Sequence, residues 1–265
     1  MSNNFMITKE YLKFSEFCDE CKKYCYIGLC YGTPGVGKTL SARRYSNWDT
    51  LEKILPPDHL LNPIPIGDIA DNDSIFYTAP VSSSPSRIER EIRNTWFNLN
   101  WLIEDIVKNE GKKGTWNKQD NYTKLIIIDE ADRLKPTSLE QIRDIYDTGK
   151  ISVILIGMPG IEKKLSRYPQ LYSRIGFVHN FKPISNKELE YIIKNKMDEF
   201  NIEYNINDKF TKESFSEIIK ITRGNFRLIQ RLITQIHRIM EINNIGNINK
   251  DVIEVAKKSL ITGTK

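Results

Sequence analysis

The sequence predicts an α/β fold: a doubly wound parallel sheet followed by a small all-helical C-terminal domain. Three observations predict it. Short apolar runs alternate with amphipathic stretches between residues 26 and 179. One of those runs feeds a glycine-rich turn. Beyond Phe181-Lys182-Pro183 the apolar spacing is helical throughout. A chain of 265 residues holds one large domain, or a medium one and a small one. The composition shift near residue 182 favours the second, with an α/β domain over 1–181 and a helical lid over 182–265.

Each element has its own signature. Thr8 caps a helical segment over 8–25 that carries Cys18, Cys21 and Cys25, while Cys30 lies on the strand that follows. Zinc ligands come in tight knuckles with a second pair far away, and no such second pair exists here, so reduced core or interface thiols are expected in preference to a zinc site. An apolar strand over 26–31 precedes the turn, and a helix from Leu40 to Tyr45 follows it. A proline-rich connection (Pro56, Pro57, Pro63, Pro65) leads to a strand at 74–79 that begins Ser74-Ile75-Phe76-Tyr77-Thr78. Next comes a serine-rich cap and a long helix from about Arg87 to Asn109, whose Ile88, Ile92, Trp96, Leu99, Ile103 and Ile106 form one core-facing stripe. The run at 124–128, a helix over 137–146, the strand 151–156 and Phe177-Val178-His179 complete the sheet domain. Helices over 186–200, 211–222, 225–242 and 249–260 make the lid, with Leu228, Ile229, Leu232, Ile236 and Ile239 on one apolar face.

The turn itself is specific. Gly32-Thr33-Pro34-Gly35-Val36-Gly37-Lys38-Thr39 matches G-x-x-x-x-G-K-[ST] in full, between a strand and a helix. Backbone N–H groups and the positive end of the following helix converge there on an anion, so Gly32 through Leu40 are expected to cradle nucleotide phosphates. Lys38 reaches the β- and γ-phosphates, and Thr39 ligates magnesium. The run Lys124-Leu125-Ile126-Ile127-Ile128 is apolar on both faces, as a strand covered by helices on both sides must be. It ends in Asp129 and Glu130, which emerge where an open α/β sheet binds its ligand. Asp129 suits magnesium, and Glu130 suits general-base activation of the attacking water. ATP and Mg2+ are the expected cofactors, and ATP hydrolysis the expected reaction.

A net charge of +5 permits an anionic partner without requiring one. The sequence has no stretch of 18 apolar residues and no secretory h-region, so a cytoplasmic protein with no membrane partner is expected.

Ile127-Ile128-Asp129-Glu130-Ala131-Asp132-Arg133-Leu134-Lys135-Pro136, with Ile154-Leu155-Ile156-Gly157 downstream, resembles the TnsC/TniB/MuB branch of AAA+ ATPases. The resemblance covers most of residues 20–240. It implies a P-loop AAA+ core with a lid, and a homo-oligomeric ring or filament on duplex DNA. It also implies a transposase and a target-selector protein as partners, hence a regulator of DNA transposition. Within Tyr172-Ser173-Arg174-Ile175-Gly176, Arg174 matches the arginine finger that reaches a neighbouring subunit's nucleotide, with Arg167 the alternative. Arg223-Gly224-Asn225-Phe226-Arg227 is similar to the family's sensor-2 start, so Arg227 is expected to contact nucleotide from its own chain. The polar segment Lys108–Lys118, through Lys112, Lys113, Thr115 and Lys118, falls where the family brings loops to DNA. One position departs from the pattern: Met158 stands where a polar side chain usually orients water, which implies slow or partner-dependent hydrolysis. Two other classes share the same core. One is a helicase loader or replication initiator. The other is a nucleotide-switched signalling or defence ATPase, for whose usual extra domain 265 residues leave little room.

Overall fold

A computed structural model describes residues 5–55, 69, 71–82, 84–109, 122–202, 204 and 209–260. Helix α1 (Lys9–Tyr24) leads to strand β1 (Ile27–Tyr31), the glycine-rich turn, α2 (Lys38–Tyr45) and α3 (Trp48–Ile54). Then come β2 (Ser74–Thr78), α4 (Pro85–Asn109), β3 (Leu125–Asp129) and a 3-10 turn at Ala131–Arg133. Helix α5 (Pro136–Gly149), β4 (Ser152–Gly157), α6 (Ile161–Leu165), α7 (Pro169–Tyr172) and β5 (Ile175–Asn180) follow. The last helices are α8 (Asn186–Glu199), α9 (Lys209–Thr222), α10 (Phe226–Ile242) and α11 (Lys250–Lys258).

The five strands pair in parallel in the order β2-β3-β4-β1-β5. Every residue of β3 and β4 is buried, because helices cover both faces of the sheet's middle. β5 alternates partly buried and exposed positions, as an edge strand does. The core of this domain joins Ile27 and Leu29 of β1, Ile126 and Ile128 of β3, and Val153 and Leu155 of β4 to the apolar stripe of α4. Ile88, Ile92, Leu99, Ile103 and Ile106 of that stripe are buried, and Trp96 is partly buried against them. Ser84 accepts from Arg87 N at 3.2 Å and opens α4, while Glu91–Arg87 and Glu89–Arg93 pairs at 2.7 and 2.8 Å line its outer side.

By backbone packing the chain forms two compact units. One holds Tyr11–Gly32 and Lys38–Phe181. The other holds Lys182–Lys265 together with Thr33–Gly37 and the N-terminal segment through Glu10. Membership is thus not contiguous in sequence, whereas the sequence reading kept all of 1–181 in one body. In the second unit, Ser185 and Glu188 form a reciprocal capping box at the start of α8. Its core gathers Leu189, Ile193, Ile218, Ile229, Leu232, Ile233, Ile236 and Ile253. The buried face of α10 is rotated from the expected one: Ile233 and Met240 are buried, while Leu228 and Ile239 are only partly so.

Helices α3, α6 and α7 and the 3-10 turn have seven residues or fewer and were not expected. Two turns or less cannot display a 3.6-residue period. Cys18, Cys21 and Cys30 are buried and Cys25 partly so, all as free thiols. The proline-rich connection over 56–68 and the expected DNA residues Lys112, Lys113, Thr115 and Lys118 lie outside the described residues.

Candidate nucleotide site

The sheet delivers its acids to the carboxyl ends of the strands. Asp129, the last residue of β3, is buried. Its Oδ2 accepts from Thr39 Oγ1 at 2.7 Å, across ninety residues of sequence. Its Oδ1 accepts from the backbone N–H of Glu130 at 2.8 Å. The two oxygen donors expected to hold magnesium therefore converge, and hard oxygen ligands suit that ion. Among the described residues, no cluster of three or more His, Cys, Asp or Glu side chains is placed to hold a metal by itself.

Lys38 opens α2, is 9% exposed, and donates from Nζ to the carbonyl of Gly32 at 2.5 Å. Burial pushes the pKa of its ammonium down; Cys30, Asp129, Glu130 and Asp132 push it back up. The lysine thus stands in the field of the same acids that end β3.

Glu130 is held in the left-handed backbone region, with φ 56° and ψ 37°. For a residue with a β-carbon this costs about 1–2 kcal/mol. Among the described residues, Cys25, Asn47, Lys150, Asn201, Arg223 and Asn244 share this region. Arg133 Nη2 lies 3.6 Å from Glu130 Oε2, and Arg133 Nη1 donates to the Ala79 carbonyl at 3.1 Å. Asp132 ties the same turn to the next strand. Its Oδ2 accepts from Met158 N at 2.7 Å, and Lys164 Nζ donates to the Asp132 and Leu134 carbonyls at 2.6 and 2.7 Å. A β-carbon at Gly157 would stand 2.7 Å from that carboxylate oxygen. An acidic side chain from the neighbouring turn therefore fills the space beside the end of β4, where Met158 brings no strong hydrogen-bonding group of its own.

The model of the AAA domain matches residues 21–165, more than half of the chain. The chain belongs to the AAA domain family. A Staphylococcus aureus protein described as a potential ATP-binding protein is 46% identical to this AAA protein, over all of its length and 99% of that relative. Among solved structures, the Holliday junction branch migration motor RuvB of Thermotoga maritima superposes with a TM-score of 0.58 at 18% identity, covering 95% of this chain and 68% of RuvB. ORC1 of Aeropyrum pernix, solved in complex with DNA, gives 0.56 at 17% identity, covering 96% and 65%. Domain III of the Thermotoga maritima replication initiation protein DnaA gives 0.54 at 17%, covering 98% and 95%. These likenesses establish an AAA+ fold.

The other expected residues of this AAA protein are distributed as follows. Arg174 follows α7 and pairs with Asp147 through Nε at 2.6 Å and Nη2 at 2.9 Å, and its Nη1 donates to the Gln170 carbonyl. That ion pair holds the Asp147 carboxyl below its usual range. Arg167, the alternative, is exposed between α6 and α7. Arg227 is exposed on the first turn of α10. Leu40, at the loop's end, is 50% exposed.

Within the lid unit, the phosphate loop has partners the sequence did not announce. Asn225 Nδ2 donates to the Pro34 carbonyl at 3.1 Å, and Phe226 N donates to the Gly35 carbonyl at 2.8 Å. Gly35 has φ +78°, and a β-carbon there would collide with the Asn225 amide. Asparagine is among the favoured helix N-cap residues, but nothing in the sequence announces a bond from it to a loop 191 residues away.

Proposed function

We propose that this chain is a magnesium-dependent ATPase that assembles as a homo-oligomer on duplex DNA and regulates transposition. The observation that carries the nucleotide half is the Thr39 Oγ1–Asp129 Oδ2 contact at 2.7 Å, beside a buried Lys38. Thr39 and Asp129 would hold the metal, which neutralises phosphate charge when bound. Gly32, Thr33, Pro34, Gly35, Val36, Gly37 and Leu40 would surround the phosphates, and Lys38 would balance their charge. Glu130 would take a proton from the attacking water. Arg174 would complete a neighbour's site after leaving Asp147, and Arg227 would read the nucleotide from its own chain. The name of the Staphylococcus aureus relative supports ATP as the ligand.

For the DNA half, support comes from the resemblance over 127–157 and from structural neighbours whose descriptions concern branch migration, a DNA complex and replication initiation. The last of these also favours a second reading, a replication-initiator or helicase-loader ATPase. The first reading requires ATP-dependent, sequence-independent duplex binding. Fluorescence anisotropy on labelled duplex at several salt concentrations tests it. Log affinity should fall linearly with log salt, by about 0.9 for each phosphate neutralised. Lys112→Ala/Lys113→Ala should flatten that slope while sparing ATP binding. Unchanged affinity and slope would exclude those residues as the DNA contact, and no ATP-dependent binding in wild type would exclude the DNA half. Stimulation of turnover by a transposase, against stimulation by a replicative helicase, separates the two readings.

A further inference from the structure

Asn225 does two jobs with one amide. Its oxygen caps α10, accepting from Arg227 N at 3.0 Å and Leu228 N at 3.2 Å. Its nitrogen donates to the Pro34 carbonyl at 3.1 Å. The next residue, Phe226, donates its backbone N–H to the Gly35 carbonyl at 2.8 Å. Two left-handed residues, Arg223 at φ 46° and Gly224 at φ 79°, shape the turn that presents this pair of donors. These contacts lie inside one compact unit, which includes residues 33–37 along with the lid.

A trans peptide is planar, with its C=O and the following N–H pointing in opposite directions. Fixing the Pro34 carbonyl toward Asn225 therefore turns the Gly35 N–H the other way. Fixing the Gly35 carbonyl toward Phe226 does the same to the Val36 N–H. Those two amides belong to the segment whose donors cradle a phosphate. An anion accepted by them would polarise the same peptide units and strengthen their carbonyls as acceptors. A bond improved by loading of the loop must, by linkage, improve loading in return.

We infer that Asn225 is a positioning residue that orients the Gly35 and Val36 amides from α10 and couples phosphate loading of the loop to order at the start of that helix. The coupling half rests on the nucleotide reading above; the orienting half does not.

The test uses the full chain and two variants. Asn225→Ser keeps a good helix cap but lacks the amide donor, and Asn225→Asp keeps the cap with a carboxylate in its place. Hydrogen exchange by mass spectrometry is followed over 33–39 and 226–231, with and without MgATP, and ATP affinity is measured by calorimetry. Without nucleotide, Asn225→Ser should melt within a few degrees of wild type yet exchange faster over 33–39. With MgATP, wild type should gain protection over 226–231. Asn225→Ser should lose that gain and bind ATP about fivefold more weakly, the effect of one hydrogen bond. Asn225→Asp should bind more weakly still, since it adds negative charge beside the loop. Wild-type exchange over 33–39 in both variants would overturn the orienting role. Wild-type affinity and MgATP protection in Asn225→Ser would overturn the coupling. If wild type bound no ATP but Asn225→Ser still loosened 33–39, the nucleotide reading and the coupling would fall and the orienting role would stand.

Discussion

Arg174 grips both carboxylate oxygens of Asp147, with Nε 2.6 Å from Oδ1 and Nη2 2.9 Å from Oδ2. Arg143 Nη1 reaches that second oxygen as well, at 2.7 Å. The Arg174 and Asp147 side chains are 31% and 28% exposed, so solvent reaches the pair and Arg174 is free to exchange Asp147 for a stronger anionic partner.

If Arg174 serves a neighbouring subunit, Arg174→Ala should bind ATP normally and lose about a thousandfold in turnover. Mixed with Lys38→Ala, it should recover part of that activity, because each protein supplies the half-site the other lacks. Asp147→Ala should hydrolyse ATP at least as fast as wild type. A matching collapse in Asp147→Ala, or no recovery in the mixture, would move the finger to another residue such as Arg167. Steady-state turnover against protein concentration reads all three.

Lys38→Ala should abolish ATP binding, since it removes the buried cation beside the acids of β3. Glu130→Gln should bind ATP as wild type does and stop turning it over, because an amide cannot accept the proton of water. Calorimetry paired with phosphate release separates the two. Equal loss of binding in both would remove the division of labour assigned to them.

The left-handed backbone at Glu130 permits a test independent of activity. Glu130→Gly and Glu130→Ala both delete the carboxylate, yet only the first relieves the strain of a β-carbon. Urea unfolding should find the glycine variant the more stable by about 1 kcal/mol. Identical midpoints would mean that the left-handed turn is not maintained in solution.

Much of the fold was legible because its signals are repetitive. The continuous apolar run of β3, the alternating β and α segments and the stripe on α4 each repeat often enough to identify themselves. Asp129, Thr39 and Lys38 were legible because their chemistry is tied to a fixed local spacing. Illegible were relations that join distant segments through one contact: Asp132 to Met158, Arg174 to Asp147, Asn225 to Pro34. A single carboxylate or amide has no period, and its partner is chosen by tertiary packing. Short α3, α6 and α7 escaped for the same want of repetition.

Alkaline pH should weaken this fold through its thiols. Burial pushes the Cys21 thiol from 9.0 up to about 12, and raises Cys18 as well. Below pH 9 the thiols are neutral in both folded and unfolded chains, so their contribution is fully present. Above pH 9 the unfolded chain ionises first, and stability should fall until the folded Cys21 titrates near pH 12. Denaturant midpoints between pH 8 and 11 should show this decline, less steep in Cys21→Ala. An unchanged slope in that variant would assign the decline to other groups, such as Tyr45 and Tyr77, which are also raised.

Two glycines of the phosphate loop are demanded by the protein's own atoms. A β-carbon at Gly32 would strike the Phe181 carbonyl, and one at Gly35 would strike Asn225. A descendant that abandoned nucleotides would still be purged of side chains at both positions, so the motif would outlive the activity. Glu130 has no such protection: its backbone costs folding energy, and its carboxylate meets Arg133 only at 3.6 Å. If the catalytic role proposed for Glu130 ceased to matter, drift there toward glycine or asparagine would meet little resistance. Among diverged copies of this gene, the loss of that glutamate, with the glycines intact, would mark the ones that have become inert scaffolds.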